Sequence, residues 1–69
     1  SSMKIEEERV RLDKEIANIE GLIGRTNAQL ANQEFVAKAP EHIVHDMNLK
    51  VANYQDELVR MQQQRKRLV

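Results

Sequence analysis

Cysteine is absent from the 69-residue chain, which excludes disulfides and thiolate metal sites and leaves the redox compartment unread. Tryptophan is also absent, and there is one tyrosine, one phenylalanine, one proline and two glycines. So few aromatics and turn residues argue against a sandwich or barrel of short strands. No excess of one charge sign exists either: 11 lysines and arginines face 11 aspartates and glutamates. An autonomous nucleic-acid binder normally carries a basic surplus, so bulk charge does not point to nucleic acid. No apolar run approaches the ~20 residues of a membrane span, and no signal peptide is seen, so the expectation is a soluble, cytoplasmic chain without a membrane partner. Gly-rich phosphate loops, nucleophile elbows and paired catalytic carboxylates are missing as well. Catalysis by this chain alone is not expected, and no cofactor or metal is expected for it.

What remains is 32% charged and 41% apolar residues, the composition of long amphipathic helices. From Lys4 to Ala31 the residues Ile5, Leu12, Ile16, Ile19, Ile23 and Leu30 follow steps of three and four, with Arg9 and Thr26 in the gaps. Val44, Met47, Val51, Tyr54, Leu58, Met61, Arg65 and Leu68 repeat the pattern downstream. Between them lies the only proline, Pro40, which disfavours helix at Ala39 and suits the first turn of a new helix. The sequence predicts an all-α, antiparallel two-helix coiled-coil hairpin. Its helix 1 spans about 4–32, its tip about 33–39 and its helix 2 about 40–68, within a single unit at 4–69. Residues 1–3 read as terminal remnants outside the fold. Asn32, which tolerates left-handed backbone, is expected to end helix 1. Gly21 and Gly24 are expected to weaken its distal half. A short connection requires pairs whose numbers sum to roughly 70–74, and it sets Glu6, Glu7 and Glu8 near Arg65, Lys66 and Arg67, cancelling much of that basic cluster.

Several residues have two readings. Phe35 and Val36 either cap the end of the seam or stand exposed for a partner, and large apolar side chains more often take the first course. Lys38 reads as a solvated loop lysine. His42 and His45 share a helical face beside Glu41 and Asp46, but without a third ligand at a defined spacing they read as ordinary helix histidines rather than a zinc site. Tyr54 belongs to the seam rather than to base stacking. Val10, Leu22, Leu49 and Val59 lie off the seam and offer a second stripe, which would make the chain a structural coiled coil that pairs as a homodimer into a four-helix bundle.

The segment Leu30, Ala31, Asn32, Phe35, Val36, Ala37, Lys38, Ala39, Pro40, Ile43 and Val44 resembles the tip of the C-terminal coiled-coil arm of bacterial-type valyl-tRNA synthetases. Ile19, Glu20, Leu22 and Ile23 agree with the family's approach to that tip. The resemblance implies a tRNA-binding appendage of a class I aminoacyl-tRNA synthetase that touches the outer corner of tRNA, where the D and T loops meet. Aminoacylation, with its ATP, would belong to catalytic domains outside this segment. The family's basic tip position falls on Lys38, its apolar pair on Phe35 and Val36, and a second-helix lysine on Lys50; Arg25 completes the candidate contacts. This chain departs from the family in having Gln29 where a basic residue is common, and His45, Asp46, Met47 and Asn48 where a basic-acidic run is usual. From Arg25 to Lys50, three cations (Arg25, Lys38, Lys50) meet three anions (Glu34, Glu41, Asp46), which leaves no net attraction for phosphate.

Overall fold

The computed structural model describes residues 2–68, so the expected terminal remnant at Ser1 and the last residue of the expected unit, Val69, lie outside the described residues. Three helices follow one another: α1 (Ser2–Ala31), α2 (Gln33–Lys38) and α3 (Glu41–Arg67). The fold is all-α. α3 packs along α1 to form a rod of 53 × 15 × 12 Å, only slightly longer than the ~45 Å of a 30-residue helix.

The apolar periodicity explains the packing. Every position of both predicted seams is buried or half-buried, including the polar fillers Arg9, Thr26 and Arg65. Leu12, Ile19 and Val51 form the buried core. Two helices cannot enclose a side chain from all directions, so the remaining seam residues keep one edge in water. Glu8, Glu15 and Leu22, one heptad apart, are also half-buried, which shows the flank of α1 over which α3 leans. Off the seam, Val10, Leu49 and Val59 are each 51% exposed.

α1 stops one residue before Asn32, for a reason other than left-handed backbone. Asn32 is extended, with φ −79° and ψ 107°, and no non-glycine residue described has a positive φ. It is the N-cap of the next helix. The backbone N–H groups of Glu34 and Phe35 donate to Asn32 Oδ1 at 3.1 and 3.3 Å. The expected irregular tip is therefore largely a helix, with the Ala39 N–H donating to the Phe35 carbonyl at 2.8 Å to close it. Ala39 and Pro40 are both extended, as the clash between a proline ring and the residue before it dictates. Pro40 caps α3 rather than opening it, and its carbonyl accepts from Ile43 N and Val44 N at 3.0 and 3.3 Å.

A six-residue helix depends on its cap more than a long one does. Asn32→Ala is expected to cost about 1 kcal/mol. Faster amide hydrogen exchange at Glu34 and Phe35, with α1 and α3 unchanged, is the readout; equal protection in the variant would remove the cap from the account.

The glycines differ in their surroundings. A Cβ on Gly24 would meet nothing within 4 Å, whereas one on Gly21 would touch the Arg25 guanidinium at 3.4 Å. Gly24→Ala is thus expected to stabilise α1 by about 1 kcal/mol, seen as a higher urea midpoint. An unchanged or lower midpoint would contradict an open site.

Candidate nucleic-acid interface

The end of the rod is built by α2 and its caps. Phe35 and Lys38 line one shallow depression of about 400 Å³ with Asn32, Glu34 and Ala39. Phe35 is half-buried and Lys38 exposed, in the last turn of α2. Val36 stands beside them, 38% exposed. The structure therefore gathers three of the five candidate contacts on α2. Phe35 falls between the two fates open to it, being half-buried and also lining the depression.

Arg25 and Lys50 are exposed but sit back from this end. Arg25 is six residues before the end of α1, about 9 Å along the axis, and Lys50 nine residues into α3, about 14 Å. Arg25 lies over Gly21 and lines a different depression with Ala17, Asn18, Gly21 and Leu22. Glu34 and Asn32 belong to the tip depression without having been singled out as contacts. An asparagine three residues before an apolar pair was the available signal, since that spacing is how a short helix is capped. His42 and His45 line a third depression with Glu41. Among the described residues, no group of three or more His, Cys, Asp or Glu is placed to hold a metal ion. Nor is any described helix long and apolar enough to cross a membrane.

At the opposite end, opposite charges at helical spacing within α1 pair, Arg11 with Glu15 among them, while the pairing expected between the two long helices is limited to one bond among the described residues. Arg9 donates to Glu6 at 2.6 Å, and Arg11 donates to Glu8 and, at 2.8 Å, to Glu15, all within α1. The hydrogen bonds to Glu8 and Glu15 hold the Arg11 guanidinium above its ordinary pKa. A raised pKa on a cation means a contribution present at lower pH and lost only in strong alkali, so it gives no pH dependence near neutrality. Among the described residues, only Asp13 makes an ion pair with α3, through Arg65 Nε at 2.8 Å. The expected neutralisation of Arg65, Lys66 and Arg67 by Glu6–Glu8 does not occur, because acids three and four residues from Arg9 and Arg11 meet them without spanning the gap between helices.

Comparison with known proteins decides what this rod is. The family described as the valyl tRNA synthetase tRNA binding arm matches residues 4–69. The chain belongs to this tRNA-binding-arm family. It is 39% identical over 61 residues, 88% of its length, to a protein called valine--tRNA ligase in Xanthomonas oryzae pv. oryzae, and 38% identical over 61 residues to that of Xanthomonas campestris pv. campestris. A valine--tRNA ligase of Francisella tularensis subsp. tularensis is 40% identical over 52 residues, 75% of the chain. The arm spans 6% of the length of each of these relatives. No solved structure matches it.

Proposed function

We propose that this chain is the tRNA-binding arm of a valine--tRNA ligase, an antiparallel coiled-coil hairpin whose tip touches the outer corner of tRNA. The observation that carries the reading is the placement of Phe35, Val36 and Lys38 together on the capped helix at the end of a 53 Å rod in a chain of this family. Lys38 supplies a point charge for phosphate, Phe35 and Val36 an apolar surface for exposed bases or sugar, and Lys50 and Arg25 flank the approach. The role is positional: contact with the corner holds the distant acceptor end in register over a catalytic site elsewhere in the enzyme. Aminoacylation and its ATP belong to that remainder.

The Asp13–Arg65 pair supports antiparallel pairing. Its numbers sum to 78, beyond the expected 70–74. Side chains lean toward their own helix N-termini, so in an antiparallel pair Arg65 reaches toward the tip and Asp13 away from it. Correcting by about one turn puts the backbone layers near a sum of about 74, with Arg9 opposite Arg65.

Two measurements test the function. Removal of the arm from the full-length ligase is expected to weaken tRNA binding and aminoacylation efficiency, because the arm's contact is added to those of the body. In the same enzyme, Lys38→Glu is expected to weaken tRNA binding about tenfold with helix content unchanged. Unaltered affinity and efficiency after arm removal would end the proposal. Sedimentation of the chain with and without tRNA separates it from the self-associating coiled coil, for which a tight dimer indifferent to tRNA is the signature.

A further inference from the structure

The basic end of α3 is the one strongly charged surface that the tip does not use. From Leu58 to Leu68 there are four cations, Arg60, Arg65, Lys66 and Arg67, and no anion. Arg65 is held by Asp13, while the described residues give Arg60, Lys66 and Arg67 no ion pair. The neighbouring acids Glu6, Glu8 and Glu15 are occupied by α1's own arginines, which leaves Glu7 as the single unpaired acid in that part of α1. Arg60 and Arg67, seven residues apart, share a face of α3 about 10.5 Å apart along the axis. On an adjoining side of α3, Lys66 and the amides of Gln62 and Gln63 line a depression of about 500 Å³ with Val59 and Arg65, which Arg60 and Arg67 do not line. Amide donors next to unpaired cations suit phosphate oxygens.

Complementing the α3 dipole is the structural role open to cations in a last turn, and Arg65, Lys66 and Arg67 are all there. Arg60 lies outside that turn, with Asp56 and Glu57 four and three residues before it, and no ion pair joins it to either among the described residues. The tip segment from Arg25 to Lys50 is charge-neutral overall, so beyond the contact of Lys38 the counterion release on binding RNA has to come from cations elsewhere in the arm.

We propose that Arg60, Lys66 and Arg67 form a second RNA contact, a phosphate-backbone surface at the base of the arm that supplies its electrostatic attraction while the tip supplies shape. This rests on the tRNA-binding reading above. An acidic protein surface is the competing occupant, and membership of a tRNA-binding-arm family favours phosphate over it.

The test is a titration of the full-length ligase carrying this arm with valine-specific tRNA at several NaCl concentrations, with the helix content of each variant followed by circular dichroism. The combined variant Arg60→Gln, Lys66→Gln, Arg67→Gln is expected to flatten the slope of log affinity against log salt by about two units, and to weaken binding at about 50 mM salt by tenfold or more. Arg60→Lys with Arg67→Lys keeps the charges and is expected to keep the slope. If the triple variant loses helix, the single variants Arg60→Gln and Lys66→Gln are each expected to lower the slope by about one unit. An unchanged slope in the glutamine variants, with Lys38→Glu still weakening binding, overturns this second contact and leaves the tip reading standing. If removing the whole arm leaves the affinity of the ligase for tRNA and its salt slope unchanged, both contacts fall. Poly-glutamate binding as tightly as tRNA, with the same slope, overturns the assignment to RNA in favour of an acidic protein surface.

Discussion

Leu12→Ala is expected to unfold the chain at ambient temperature, or nearly so. Leu12 is the most deeply buried large side chain, at 2% exposure, and the core around it holds only Ile19 and Val51 at comparable depth. Truncating a buried leucine costs ~2–5 kcal/mol, and a domain under about 70–80 residues has only ~3–5 kcal/mol in total. The two quantities are of the same size, so one substitution exhausts the margin. Circular dichroism at 222 nm through a urea series is the measurement. Val10→Ala serves as the comparison: it removes apolar surface from the same helix, but Val10 is 51% exposed, and its effect is expected to stay within about 0.5 kcal/mol. A Leu12→Ala chain with an unshifted urea midpoint would mean that the seam does not hold the helices together.

Phe35→Ala is expected to reduce tRNA affinity by ~1–3 kcal/mol, about 5- to 150-fold, the range measured when an aromatic ring that stacks on a base is removed. The helix that carries it should survive. The cap bonds run from the Glu34 and Phe35 backbone N–H groups to Asn32, and the closing bond from Ala39 N–H ends on the Phe35 carbonyl, so the ring takes no part in them. Because the ring is only half-buried, its loss should lower the melting temperature far less than Leu12→Ala does. This pairing of readouts separates the two fates of Phe35. A large fall in stability with unchanged tRNA affinity identifies a cap on the seam; a large fall in affinity with a small change in stability identifies a contact.

The order of these effects reflects how the arm divides its work. Burial is concentrated at Leu12, Ile19 and Val51 and declines toward both ends, where the two proposed contacts lie. The tip holds its shape through backbone bonds to Asn32 and the stiffness of Ala39–Pro40, not through a core of its own. A rigid end with little buried surface presents side chains at low ordering cost, which is what a positional contact requires.

Much of this was legible in the residues alone. Every position on the steps of three and four from Ile5 to Leu30 and from Val44 to Leu68 is buried or half-buried in the fold, because helical periodicity carries the packing face in one dimension. Pro40 likewise marked the start of the second long helix to within a residue, since its ring fixes local backbone whatever surrounds it. The short helix at Gln33–Lys38 was not legible in the same way. Six residues lack the length to show a period, and its existence turns on whether Asn32 adopts left-handed backbone or caps forward. Either course is locally allowed, and the geometry of chain reversal selects the second.

Charge pairing was the other matter left to tertiary structure. By composition and proximity, Glu6, Glu7 and Glu8 had Arg65–Arg67 and the arginines of their own helix as equally plausible partners. The structure gives Glu6 and Glu8 to Arg9 and Arg11 and leaves Asp13 for Arg65. Neighbours within a helix are three or four residues apart in any fold, whereas partners across the seam meet only if one register is adopted. By itself, then, the sequence determined the two long helices, their buried faces and the break between them, all of which depend on local spacing. The register of α3 on α1, the capped helix at the tip and the cations left unpaired at the base depend on how two surfaces meet in space, and only the tertiary structure decided them.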